Sequence, residues 1–322
     1  MRASLTNPTI FKKSFFRAVS LLLSLISTLS LPVAGQSTVG DLFTKMTPQS
    51  DWKLVAKVPL QFNAHHTQGL VKIGGDFYMT AVEVKRWPER FSEKKGKFDR
   101  DTGEGVGHLF RFNDSGVLLD DVVLGKDSIY HPGGLDFDGQ NLWIPVCEYR
   151  PLGNSIVYRY NLKDRIATEV FSVEDALGAM AVDLSSGILW GTNWGSRDFY
   201  KWKINKDGQV QTPFYERKPN PSFYVDYQDC HRVGNGRILC SGLRSYDSGV
   251  GTFRLGGLDL IDLSDLRPVH QLPVNLYSDS GRVLTNNPVW LEVLGNALRA
   301  YFVPDDDEDS VLYVYDIFPS NP

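Results

Sequence analysis

The feature that most constrains this chain is one hairpin that keeps returning. Within residues 130–150, Leu135 and Phe137 alternate with Asp136. Asp138-Gly139 then gives a tight turn that tolerates positive φ, and Leu142, Trp143 and Ile144 follow as a buried run. The same design recurs at 68–84, 180–193, 229–243 and 289–303, with turn glycines at 75, 139, 187, 236 and 295. Those glycines lie 64, 48, 49 and 59 residues apart. A period of about 45–50 with insertions is that of a four-stranded propeller blade.

A second hairpin follows each of the first four units, as in Leu109-Phe110-Arg111-Phe112 and Val157-Tyr158-Arg159-Tyr160, where aromatic and aliphatic positions alternate as in half-buried strands. The fifth unit has a third strand at 311–316 and then ends at Pro322 without a fourth. The missing strand is supplied by 52–60. The expected fold is therefore all-β: a propeller of five four-stranded blades (six is the alternative count) in which an N-terminal strand completes the last blade. Closing the ring removes the exposed edges that an open sandwich of hairpins would present. The charged insertion 85–107 is expected to be either a flap over the mouth or a solvated loop.

Residues 1–35 stand apart. Arg2, Lys12, Lys13 and Arg17 precede the apolar run 18–31, and small residues follow at 32–35, the pattern of a secretory signal peptide rather than a span. Residues 36–50 read as a short leader with one helical turn, and 51–322 as the propeller domain. Cleavage removes four basic and no acidic residues from 34 basic and 38 acidic, leaving a net charge of −8. Such a surface argues against nucleic acid as a partner, because a phosphate backbone requires a basic field. The processed protein is expected to be extracytoplasmic, free of the membrane and monomeric. Cys230 and Cys240 are equidistant from the turn at Asn235, so register places the thiols opposite each other, as a disulfide or as two buried thiols. Cys147 reads as a small core residue.

In a propeller the loop entering the first strand of each blade and the loop leaving the second open on one face. Aligning the hairpins sets His66 over His131 and Glu83 over Glu148, each histidine 17 residues before its glutamate. Later units bring Gln228 and Asn287 to entering positions, and Asn193, Arg244 and Asp305 to leaving ones. His65, Gln68, Asp229 and His231 stand beside them, so four of the six histidines gather near one mouth. Mixed imidazole and carboxylate suits a divalent metal such as zinc, iron or manganese, with His66, His131, Glu83 and Glu148 as ligands. Without a metal, Glu83 or Glu148 would serve as general base and His66 and His131 as proton carriers. Each residue also has a structural reading: a histidine capping an inter-blade loop, a glutamate tying neighbouring blades. The Asp305–Asp309 run lacks the spacing of a calcium loop.

His65-His66-Thr67-Gln68-Gly69-Leu70, with His131-Pro132-Gly133-Gly134-Leu135-Asp136 and Trp143-Ile144-Pro145-Val146-Cys147-Glu148-Tyr149, resembles an uncharacterised family of exported β-propeller proteins that carries a domain of unknown function. That resemblance covers most of 50–318 and implies the fold without a chemistry. Thr67-Gln68-Gly69-Leu70 in a five-unit ring is similar to the plant-type glutaminyl cyclases, which implies an acidic catalytic residue soon after the first turn. This chain has Met79-Thr80 there and reaches an acid at Glu83. Propeller lactonases and strictosidine-synthase-like proteins share the architecture at the level of the fold. Two functions are carried forward: a hydrolase or small-molecule transferase with its site at the mouth, and a non-catalytic propeller binding a small molecule or peptide in its channel.

Overall fold

The computed structural model describes residues 37–320, and the expected signal peptide at 1–35 lies outside them. Five four-stranded antiparallel blades form a propeller, as the turn spacing requires. Blade 1 comprises His66–Ile73, Asp76–Arg86, Glu104–Asn113 and Leu118–Leu124. Blade 3 runs from Leu177–Asp183 through Ile188–Asn193 and Asp198–Ile204 to Val210–Pro219. Blade 4 runs from Asp226–Gly234 through Arg237–Asp247 and Thr252–Asp262 to Arg267–Val274. Blade 5 takes Val289–Leu294, Ala297–Phe302 and Val311–Phe318 from the end of the chain. Its outer strand is Asp51–Pro59, antiparallel to Val311–Phe318 with Asp51 opposite Phe318 and Pro59 opposite Val311.

Blade 2 departs from the simple hairpin. Its first strand is broken into Ile129–Pro132 and Asp136–Phe137, both paired with Asn141–Glu148. Between the two pieces the backbone turns toward blade 3. Gly134 N–H donates to Gly178 O at 2.9 Å, and Met180 N–H donates to Gly134 O at 3.1 Å. The approach demands glycine: a Cβ at Gly134 would stand 2.6 Å from Asp229 Oδ1, and one at Gly133 would run into the Gly178 carbonyl. At the turn Gly139 takes the positive φ that the sequence allows there, and Asp138 does not. Asp138 instead accepts from Gln140 N–H, Asn141 N–H and the Trp143 indole.

Inner side chains of adjacent blades interdigitate, burying Trp143, Trp190, Trp202 and Tyr200 almost completely. The leader is part of this body rather than a tether. Thr38 caps the helix Val39–Phe43 in a reciprocal arrangement with Asp41, and Leu42, Phe43 and Met46 pack into the core of blades 4 and 5. The insertion after blade 1's second strand forms a two-stranded ribbon, Arg90–Lys95 with Phe98–Arg100.

Cys230 lies opposite Cys240 across the first hairpin of blade 4, and the two form a disulfide. The bond closes a short loop, so the double replacement by serine should cost about 2 kcal/mol, the low end of disulfide effects. Chemical denaturation of the oxidised and substituted proteins measures this, and equal midpoints would contradict it.

Candidate functional site

Register decides which predicted residues reach the mouth. His131 pairs with Cys147 and His66 with Val82, so Glu148 and Glu83 each lie one residue past the partner of a histidine. Side chains alternate between faces along a strand, and one residue's offset turns both glutamates away from the histidines. Glu148 is buried and accepts from Ser128 Oγ, the Arg150 guanidinium and Asn154 N–H. Glu83 is half-exposed, with Lys85 Nζ 3.8 Å away. His65, with φ of 54°, stacks on His108 away from His66. The four expected metal ligands are therefore not assembled. Among the described residues no group of three or more His, Cys, Asp or Glu side chains is placed to hold a metal ion. The structure does not support the divalent-metal reading.

His66 and His131 do converge, with ring centroids 6.1 Å apart, on a cavity of about 210 Å³. Its wall continues through Gln68, Asn193, Asp226 and Gln228. Cys147 and Tyr149 share His131's side of the sheet by the same alternation, and Trp194 completes an aromatic surface. The His131 and Tyr149 centroids are 4.1 Å apart, and those of Tyr149 and Trp194 are 5.6 Å apart. The ribbon's root touches this surface, with the Trp87 ring 5.8 Å from Tyr149 and the Arg150 guanidinium 3.5 Å over Phe98.

His66 Nδ1 is 3.1 Å from Asp306 Oδ1, which also accepts from Asn287 Nδ2 at 2.9 Å, while Arg282 pairs with Oδ2 at 2.8 Å. Burial pushes the Asp306 carboxyl up, but His66, Arg282 and Asn287 together hold it below the ordinary carboxylate range. It is thus a fixed anion behind His66, and the imidazole donates from Nδ1 and leaves Nε2 to the cavity. His131 is its opposite. Burial, with the His66 ring beside it, drives its pKa down to about 3, and its buried Nε2 has no partner among the described residues. Burial also pushes Asp226 up, against the pull of Arg197 and Arg244, which both meet its Oδ1.

The remaining expected residues are supports. Asn193 bridges Asp175 and the backbone of Arg197 and Asp198. Asn287 braces Asp306, Arg244 pairs with Asp226, and Asp305 is buried against Ser278 and Ser280. Asp307–Asp309 is a single exposed 3-10 turn.

Asp229 and His231 lie below the cavity, buried on the axis. Asp229 accepts from Leu70 N–H of blade 1 at 2.8 Å and from Cys230 N–H at 3.0 Å. His231 Nε2–H is shared between Asp229 Oδ2 at 3.1 Å and the Val289 carbonyl of blade 5 at 2.9 Å. Its Nδ1 faces Asp136 of blade 2 at 3.6 Å. Asp136 in turn accepts from Val182 N–H of blade 3 and Arg232 N–H of blade 4. One carboxylate–imidazolium–carboxylate line thus touches all five blades. Burial opposes charge on His231, but the two carboxylates outweigh it and raise its pKa to about 10. Burial likewise pushes Asp229 up. Because every polar contact to its oxygens is an N–H donor, a carboxyl proton there would have no acceptor, and the ion pair is the consistent state.

Tyr149, Trp194, Asp226 and Asp306 were not among the expected site residues. The parity that pairs Cys147 with His131 is the signal that reaches Tyr149. Asp226 opens the first strand of blade 4, two residues before the expected Gln228, and Trp194 directly follows the expected Asn193, whereas Asp306 comes from a loop whose course the repeat does not specify. Where the likeness to glutaminyl cyclases asks for an acid, Met79 and Thr80 are fully buried, and Thr80 Oγ bonds Gly69 N–H and the Gly133 carbonyl.

Among solved structures the chain is similar to a hypothetical protein from Leishmania major, at 10% identity over 83% of this chain and 91% of that one, with a TM-score of 0.47. A tail fibre of Staphylococcus aureus phage P68 shows 10% identity over 87% of this chain and 55% of its own, with a TM-score of 0.48. A luciferin-regenerating enzyme shows 9% identity over 83% and 95%, with a TM-score of 0.43. At these values none of the three carries a function across. No curated protein matches the chain. The model described as a family of unknown function (DUF6454) matches residues 25–320, nearly the whole length, and the chain belongs to that family.

Proposed function

We propose that this protein is an extracytoplasmic hydrolase of small molecules, with His66 as general base and Asp306 as the residue that positions it. The observation that carries the reading is the His66–Asp306 contact at the cavity wall, which fixes the imidazole's tautomer and leaves Nε2 free toward a bound molecule. Neither the Cys147 thiol nor the Tyr149 phenol at the wall competes as nucleophile, and two arginines hold the Asp226 carboxylate. Burial pushes the Cys147 thiol far up, with Glu148 adding to the effect, and burial raises the Tyr149 phenol to about 12. Water is then the attacking group. His66 Nε2 takes a proton from water as its oxygen bonds to the electrophilic carbon, and returns that proton to the leaving oxygen as the old bond breaks. The Cys230–Cys240 disulfide is compatible with export. Among the described residues no helix is long and apolar enough to cross a membrane.

Chromogenic esters and glycosides provide the test. His66→Ala should lower kcat by about 10²–10⁴-fold, the usual range for a general base, with partial recovery on adding imidazole. Asp306→Asn should lower kcat with little change in KM. A wild-type protein inert toward every substrate, or an unimpaired His66→Ala, would overturn the reading. A non-catalytic binder is the second reading, favoured by the arginine pair that already engages Asp226; it predicts saturable binding without turnover.

A further inference from the structure

Resting on the acid–base reading above, we infer that the cavity takes a neutral, polyhydroxylated single ring, a sugar unit, as the recognised part of its substrate. Three observations converge. The first is charge. Asp226 is met by Arg197 at 3.0 Å and Arg244 at 3.2 Å, Asp306 by Arg282 at 2.8 Å, and His131 is neutral. No lysine or arginine is part of the lining itself. Each carboxylate at the cavity already has its counter-ion within the protein, so a cation would find no uncompensated partner there, and the second guanidinium on Asp226 stands outside the lining, where an anion in the cavity does not meet it directly.

The second is the set of free polar atoms. Gln68 Nε2 donates to the Thr67 carbonyl at 2.9 Å and Gln228 Nε2 to the Asp226 carbonyl at 3.4 Å, which leaves the amide oxygens of both side chains. Among the described residues Asp226 Oδ2 and the buried His131 Nε2 have no protein partner. The open positions are mostly acceptors spread around one wall, and they call for a ligand bearing several donors in different directions. Hydroxyl groups on a ring meet that demand without adding charge, whereas unmade hydrogen bonds on these buried groups would weigh against an apolar ligand.

The third is shape. His131, Tyr149 and Trp194 form one continuous aromatic surface, suited to the C–H face of a saturated ring. Cation capture would require rings around an open centre, but His131 and Tyr149 lie with centroids only 4.1 Å apart. The volume of about 210 Å³ is below the roughly 300–1,000 Å³ of drug-sized pockets, so one ring enters and the remainder of the molecule projects toward the ribbon.

Isothermal titration calorimetry on the His66→Gln protein, in which turnover cannot confuse binding, provides the test. The probes are glucose, galactose, xylose and their methyl glycosides, with choline chloride, sodium acetate and inorganic phosphate as charged comparisons. At least one sugar should saturate, while the charged probes should not. Trp194→Ala and, independently, Gln228→Ala should each weaken that sugar about tenfold or more with the thermal midpoint retained, so that a folding failure in one leaves the other decisive. Saturation by a charged probe alone, or by none of the sugars, overturns the inference. Sugar binding without hydrolysis of any glycoside or ester by the wild type would keep the ligand class and sink the hydrolase reading. Ester hydrolysis dependent on His66, without sugar binding, would do the reverse.

Discussion

Asp229→Asn lowers the stability of the folded protein by about 3–5 kcal/mol, the cost of leaving one member of a buried ion pair without its partner. For a body of this size that corresponds to a fall of roughly 5–8 °C in Tm. The effect is large because the carboxylate serves several purposes at once. It receives the backbone N–H of Leu70 from blade 1, fixes its own hairpin through Cys230 N–H, and balances the His231 imidazolium. Asparagine keeps the volume but turns one oxygen into a donor, which then faces N–H groups. His231→Gln should cost a similar amount, and the double variant less than the sum, since both remove one interaction. Glu83→Gln, on a half-exposed side chain, is the control and should stay within about 0.5 kcal/mol. Urea titrations of the four variants beside the wild type decide the matter. A loss under about 1 kcal/mol for Asp229→Asn would mean that the axial line is not what joins the blades.

Stability should peak near neutral pH and decline on both sides, because two buried histidines respond in opposite senses. His231 has a folded pKa of about 10, above the ordinary histidine value. Its contribution is fully present below about pH 6.5, the unfolded value, and is lost as pH rises through 10, where folding no longer retains a proton that the unfolded chain has released. His131 has a folded pKa of about 3. The unfolded chain takes up a proton below about pH 6.5 that folded His131 refuses until about pH 3, so stability falls as pH drops across that window. Each limb is worth on the order of several kcal/mol, since a tenfold difference in proton affinity between the folded and unfolded chain corresponds to about 1.4 kcal/mol. Thermal melts from pH 4 to 10 should show both limbs. His131→Phe should flatten the acid limb and leave the alkaline one, while His231→Gln should do the converse from a lower maximum. If neither variant alters the limb assigned to it, the two imidazoles do not hold these protonation states.

The architecture was legible because it repeats. Turn glycines 48–64 residues apart, paired strand patterns and a last unit lacking its fourth strand required a ring, and the pairing of Asp51–Pro59 with Val311–Phe318 follows from that lack. The Cys230–Cys240 pair was legible for the same reason, as it depends only on distance from a turn. The site was less so. Counting residues from His131 to Glu148 places the glutamate beside the histidine, but a hairpin's partner is set by register, and Cys147 holds that place. His66 is legible, whereas Asp306 stands in the sequence only as part of an acidic run, because the loop that brings it to the imidazole has no repeat to predict it. Asp229 and His231 were expected at the mouth. They lie inside because the axis is narrow enough for side chains from all five blades to meet there, and buried polar groups at such a crossing must satisfy one another.

The borrowed strand in blade 5 sets a timetable for synthesis. Residues 51–59 emerge early yet have no neighbour to pair with until 311–318 have been made, so most of the polypeptide must exist before the circle can shut. Until then two unpaired ladder edges remain open to other chains, and they vanish together in a single late event.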